Sequence, residues 1–210
     1  WVNANLGRLL LESRQFFEAP GVLQSALATF PNSALARHHL ADALVASGKL
    51  AEGEAEYREV LRVLPDLAVA HHNLAFVLEQ HQKLADAEAG YREAIRLRPT
   101  SALAHASLGG LLSRKKLDAA ETEFLEAIRL APDDWLINDA YLEFVKLHRR
   151  VAQAESPLPE AIRKAPSDGF LHRQLGDILN EAQKRDDAKA AYSEALRINT
   201  KDHFAKTRLG

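Results

Sequence analysis

At 210 residues and 47% hydrophobic, the chain is long enough to bury a sizeable core, and its 27% charged content is that of a folded soluble domain. Twenty-seven basic against 29 acidic residues leave a formal charge of −2, which excludes the basic footprint of a nucleic-acid-binding protein. The absence of cysteine excludes disulfides, a thiolate nucleophile and sulfur-ligated metal, and no run approaches the roughly 18 apolar residues of a membrane-spanning helix.

From the first residues onward one register governs the sequence. Leu6, Leu40, Leu74, Leu108, Tyr141, Leu175 and Leu209 follow at steps of 34, 34, 34, 33, 34 and 34 residues. Leu23, Tyr57, Tyr91, Phe124, Leu158 and Tyr192 keep the same register, as do Pro31, Pro65, Pro99, Pro132 and Pro166, with Thr200 in the sixth place. Such a period means stacked supersecondary units, none of which can bury its apolar face alone. The units run over 1–33, 34–67, 68–101, 102–134, 135–168 and 169–202, and 203–210 opens the first helix of a seventh. Both ends fall inside a unit, so the array is expected to continue beyond them.

Each unit reads as two helices. In the third, Ala70, Leu74, Val77 and Leu78 keep a 3.6-residue rhythm, which restarts after His81-Gln82-Lys83 with Leu84, Ala87, Tyr91, Ala94, Ile95 and Leu97. Pro99 then stops the second helix. The product is an antiparallel hairpin of two helices of about 13 residues. Gly48 stands in the turn of the second unit, where a positive φ costs glycine nothing. The fourth unit lacks one residue in its turn Ser113-Arg114-Lys115-Lys116, where a length change is cheap. In the fifth, Pro157 and Pro159 cannot lie in a helix interior. Its second helix is predicted to start late, with Ser156 as N-cap and Pro157 as first helical residue, leaving an altered geometry over 151–159.

Small residues mark where helices cross. Gly7, Ala41, Ala75, Gly109 and Gly176 share the eighth slot, and Ala19, Gly53, Ala87, Ala120, Ala154 and Ala188 the twentieth. Only a short side chain fits such a crossing, so enlargement there is expected to overpack by roughly 1–3 kcal/mol.

The order Leu74-Ala75, Leu78, Ala87, Tyr91, Ala94, Pro99 resembles the tetratricopeptide repeat, and the match extends over six units. The first aromatic slot departs from that family, holding Asn3, Arg37, His71, His105, Asn138 and His172. The resemblance implies an all-α fold, a right-handed superhelical solenoid of helix-turn-helix repeats whose first helices line a concave groove. Carried over by position, the groove residues are His38 and Asp42; His72, Asn73, Phe76 and Glu79; Ser107, Gly110 and Arg114; Glu143 and Lys146; Arg173, Asp177 and Asn180. His39 and Gln174 occupy further groove positions. The small residues of the fourth unit suggest a recess for a bulky side chain beside Phe76. The dicarboxylate clamp of chaperone-binding members is absent, because its lysine position reads Ala4, His38, His72, Ala106, Asp139 and Arg173.

No catalytic motif is present. Walker-type loops, G-x-G-x-x-G, G-x-S-x-G and H-E-x-x-H are all missing. Ser113-Arg114-Lys115-Lys116 spells S-x-x-K, without the partner motifs that would give it meaning. His38, Asp42 and His72 can approach a two-histidine, one-carboxylate set, but His71, His105 and His172 recur at a structural slot, and neither a metal nor a cofactor is assigned. The resemblance implies a non-catalytic scaffold that binds a peptide or partner protein in its groove. The alternative is a substrate-recruiting region of a larger glycosyltransferase or methyltransferase. Partners are expected to be proteins or peptides, with self-association possible and neither nucleic acid nor membrane insertion expected; a cytoplasmic location is favoured.

Overall fold

The computed structural model describes residues 18–131, 134–148, 162–163 and 166–209. Among them every regular element is a helix. The chain divides into two compact units, 1–99 and 100–210. The first contains α1 (Ala19–Thr29), α2 (Ala34–Ala46), α3 (Leu50–Val63), α4 (Ala68–Gln80) and α5 (Leu84–Leu97). The second contains α6 (Ala102–Leu112), α7 (Leu117–Leu130), α8 (Trp135–Leu147), α9 (Gly169–Glu181), α10 (Arg185–Ile198) and α11 (His203–Leu209). Within each unit helices pack on their chain neighbours, and the first helices of successive repeats also touch, α2 on α4, α6 on α8 and α8 on α9.

The starts of the first helices are fixed by side chains that the periodicity alone does not reveal. Ser33, Ser101, Asp134, Asp168 and Asp202 stand immediately before α2, α6, α8, α9 and α11. Each accepts a hydrogen bond from a backbone N–H of the first turn, Asp134 from both Leu136 (3.0 Å) and Ile137 (3.3 Å). This satisfies donors that have no partner within the helix. Leu67 precedes α4 with the same extended backbone and no side-chain cap.

The turns between paired helices close alike. The N–H of Gly48 bonds to Val45 O and that of Lys49 to Leu44 O; Gln82 and Lys83, and Gln183 and Lys184, repeat the pair. This is the Schellman closure, which needs a left-handed residue. Gly48 takes φ 83°, as its sequence position implied, while Gln82 and Gln183 adopt φ 59° and 63° despite their side chains. In the fourth repeat the deletion removes that residue. Lys116 N–H bonds straight back to Leu112 O at 2.8 Å, and no positive φ occurs in the turn. One residue is therefore lost at no cost in hydrogen bonds.

The small slots lie where the pattern puts them. Ala41 and Ala75 in the eighth slot and Ala87, Ala120 and Ala188 in the twentieth are buried. A Cβ added to Gly109 would come within 3.0 Å of the Phe124 ring, and one on Gly176 within 2.6 Å of the Tyr192 ring. On α3, a Cβ at Gly53 would meet the Val45 side chain at 2.5 Å, and on α5 one at Gly90 would meet Ala75 Cβ at 2.9 Å. Tyr57, Tyr91, Phe124 and Tyr192, the large partners in the same register, are all buried.

The polar residues standing where the family usually has its first aromatic acquire a structural role. Arg37 Nη2 donates to Pro31 O at 3.1 Å, and the Nε2 atoms of His71 and His172 lie 2.7 and 3.4 Å from Pro65 O and Pro166 O. Because a carbonyl only accepts, these ring nitrogens donate. Each first helix is thus tied to the proline loop before it. His105 instead contacts Glu123 at 2.7 Å. The slots expected at Asn3, Gly7, Ala154 and Leu158, and the late helix start at Ser156-Pro157, lie outside the described residues.

Candidate functional site

In the first unit, α2 and α4 present His38, His39 and Asp42 beside His72, Asn73, Phe76 and Glu79. The strip is wired together across the two helices. Asn73 Nδ2 donates to Asp42 Oδ1 at 3.1 Å, and Asn73 Oδ1 faces His72 Nδ1 at 3.1 Å. The other oxygen, Asp42 Oδ2, lies 3.2 Å from His38 Nδ1 and 3.7 Å from His39 Nδ1. From behind, the buried Tyr57 on α3 passes its hydroxyl forward to donate to Asp42 Oδ1.

That last contact repeats. Tyr91 O–H donates to Glu79 Oε2 at 3.1 Å, and Tyr192 O–H to Asp177 Oδ1 at 2.9 Å. Where that large core slot of the second helix holds tyrosine, on α3, α5 and α10, it thus orients a carboxylate on the outward face of its own first helix. Sequence patterning identified Tyr57, Tyr91 and Tyr192 only as core; the signal for a second role was their hydroxyl, which a purely apolar slot does not require. Burial, then the neighbouring carboxylate, pushes all three phenols well above their usual range. For Asp42, burial pushes the carboxyl up, but hydrogen bonds from His38, His39 and Tyr57 and the charge of His38 outweigh it. The net effect holds Asp42 well below the usual carboxylate range, so it is an anion at neutral pH.

Asn73 links His72 to Asp42, and His39 faces the carboxylate directly. Of the set considered in the sequence, His38 and Asp42 come together and His72 is replaced by His39. One ligand atom from each of His38, His39 and Asp42 lies within 4.8 Å of the others. Phe76 stands beside this strip, 44% exposed.

In the second unit, Ser107 and Gly110 lie on α6, Arg114 in the turn after it, Glu143 and Lys146 on α8, and Arg173, Asp177 and Asn180 on α9. Gly110 is exposed, and a Cβ there would meet nothing within 4 Å. Lys146 pairs with Glu143 at 3.3 Å on the surface. Arg173 is held more firmly. It pairs with Asp202 at 3.3 Å and lies between the rings of Phe170 and Phe204, at 4.6 and 5.3 Å from their centroids. Gln174, a groove position by the family's register, is buried with its amide nitrogen unpaired.

Behind the strip, Glu54 on α3 is buried and receives Lys83 Nζ at 2.9 Å, His81 Nδ1 at 2.6 Å and the Arg58 guanidinium. Burial pushes its carboxyl up, but hydrogen bonds from Lys83 and His81 and the charges of Arg58 and Lys83 outweigh it and hold it below the usual range. This cluster joins α3 to the turn between α4 and α5, a contact that no local spacing announces.

The sequence profile of the tetratricopeptide repeat matches residues 5–68 and 72–134. The chain belongs to that family. Its structure is similar to that of YrrB, described as a TPR protein with an unusual peptide-binding site, at 16% identity over 88% of this chain and 96% of that one, with a TM-score of 0.58. It is similar to Pseudomonas aeruginosa pilF at 18% identity over 98% and 94%, with a TM-score of 0.69. A tetratricopeptide repeat protein from Parabacteroides merdae is similar at 20% identity over 99% and 81%, with a TM-score of 0.61. A search of curated protein sequences finds no match. Tetratricopeptide repeats are in general non-catalytic modules of protein–protein interaction, and no described helix is long and apolar enough to cross a membrane.

Proposed function

We propose that the chain is a non-catalytic interaction module that takes an extended peptide, or an extended segment of a partner protein, across the first helices of its repeats. In the first unit the contact residues are His38, Asp42, His72, Asn73, Phe76 and Glu79; in the second they are Ser107, Gly110, Arg114, Glu143, Lys146, Arg173, Asp177 and Asn180. The observation that carries this reading is Phe76, an aromatic ring 44% exposed beside polar groups already held in place by Asp42 and Tyr57. An exposed aromatic next to pre-oriented donors and acceptors is the usual composition of a binding hot spot, because little side-chain freedom is lost on contact. The described peptide-binding site of YrrB lends support by analogy of fold.

The test is selection from a random peptide display library on the intact chain, followed by fluorescence polarisation with the selected peptides. Phe76→Ala is expected to weaken binding by roughly 30-fold, the loss typical of a hot-spot aromatic. Asn73→Ala weakens it as well, and Phe30→Ala, also an exposed aromatic but on α1's C-terminal end, leaves it unchanged. Selected peptides indifferent to both Phe76→Ala and Asn73→Ala refute the placement.

A further inference from the structure

The turn of α2 that carries His38, His39 and Asp42 has the composition and spacing of a metal-binding set. We propose that these three side chains bind a divalent transition-metal ion of the zinc class, with one coordination position left to water or to a donor from a bound partner. This goes beyond the proposed peptide recognition and does not depend on it.

The first support is distance. A tetrahedral zinc ion with bonds of about 2.0–2.2 Å separates its ligand atoms by about 3.3–3.5 Å. The two ring nitrogens lie 3.2 and 3.7 Å from Asp42 Oδ2, and one ligand atom of each residue falls within 4.8 Å of the others. Only small side-chain rotations separate this arrangement from a coordination sphere. The residue spacing explains why: positions i, i+1 and i+4 of one helix put the i and i+4 side chains one above the other, with i+1 turned by about 100° to close the third side.

The second support is the division of labour at Asp42. Its Oδ1 takes the Tyr57 hydroxyl and Asn73 Nδ2, while Oδ2 is turned to the two imidazoles. A ligating carboxylate is characteristically fixed through its other oxygen in this way. Tyr57 is in turn immobilised by the core, buried among Ala41, Val77 and their neighbours. The carboxylate is thus aimed by two elements outside its own helix.

The third support is the chemistry of the donors. Imidazole and carboxylate donors together suit zinc, nickel or copper more than calcium or magnesium. The sequence contains nine histidines, and no other described group of histidine and acidic residues meets the same spacing.

The experiment uses the intact chain without a histidine tag, stripped with EDTA. Cobalt(II) is titrated while its visible d–d absorption is followed, and zinc(II) binding is measured by calorimetry. One equivalent of cobalt is expected to give saturable tetrahedral bands that zinc abolishes. His39→Gln weakens zinc binding by more than roughly 10-fold, Tyr57→Phe by roughly 10-fold through loss of the carboxylate's orientation, and His72→Gln leaves it unchanged. On the unmodified chain, cobalt broadens the ring resonances of His38 and His39 before those of the other histidines, a readout that does not rely on any variant folding. Absence of saturable binding at millimolar metal, unchanged affinity in His39→Gln, or broadening spread evenly over all histidines overturns the assignment.

Discussion

Gly109 and Gly110 are consecutive residues of α6, so replacing each by alanine changes the same helix by the same methyl group in opposite surroundings. Helix propensity favours alanine over glycine by about 1 kcal/mol in either case. At Gly110 nothing lies within 4 Å of the new Cβ, and that gain is expected in full, about 0.5–1 kcal/mol of stabilisation. At Gly109 the Cβ would sit 3.0 and 3.1 Å from two atoms of the Phe124 ring and 3.2 Å from Ala120 O. Phe124 is buried, with Phe144 and Tyr141 at 5.3 and 6.0 Å between ring centroids, so it has nowhere to retreat. The carbonyl belongs to α7, and relief there requires the two helices to part. Overpacking of this kind costs roughly 1–3 kcal/mol, which outweighs the propensity gain. The difference between the variants is therefore roughly 1–3 kcal/mol, because propensity cancels. Urea titration by far-UV circular dichroism measures it as opposite shifts of the midpoint. Both residues lie in one helix of one unit, so the comparison survives even where repeat arrays unfold in several steps. Equal shifts in the same direction would show that the α6–α7 crossing does not require glycine.

Two further predictions concern polar groups. Asp134→Ala is expected to cost about 1 kcal/mol by removing the acceptor for two N–H groups of α8, while Asp134→Asn costs little, as thermal unfolding of the pair can establish; equal losses would exclude capping as the cause. Glu54→Gln is expected to cost roughly 1–3 kcal/mol at pH 7. Because the folded-state carboxyl is held below its unfolded value, Glu54 adds stability that is full above about pH 4.3 and is lost as pH falls through the lower folded value. The gap between parent and variant should thus narrow below about pH 4, and a gap constant from pH 7 to pH 3 refutes the assignment of the charge network.

What was legible in the sequence is what repeats. The register of Leu40, Leu74 and Leu108, of Tyr57, Tyr91 and Phe124, and of the small residues around them announced helix pairs and their packing, because a core slot must be refilled by similar side chains at every turn of the array. Contacts made once are silent in such a pattern. Glu54 meets Lys83 across 29 residues, and neither residue belongs to a periodic apolar slot. The sequence pattern did place His39 on the groove face, yet grouped His38 and Asp42 with His72. Equivalent slots in successive repeats look adjacent on paper, while the structure brings His39, the next residue along α2, to the same carboxylate oxygen as His38.

The crossings show the same limit more sharply. Slot by slot, glycine and alanine appear interchangeable, yet among the described residues the hairpins α2–α3, α4–α5, α6–α7 and α9–α10 each have one glycine at the closest approach, and the helix that supplies it changes. In the first unit it comes from the second helix, Gly53 against Val45 and Ala41, and Gly90 against Ala75. In the second unit it comes from the first helix, Gly109 against Phe124 and Gly176 against Tyr192. What the fold fixes is the distance between two helices, and either partner can supply the missing methyl group. A slot-wise reading sees each helix separately and so registers tolerance. The physical constraint belongs to the pair: alanine is accepted at residue 75 because residue 90 has no Cβ, and valine at residue 45 because residue 53 has none.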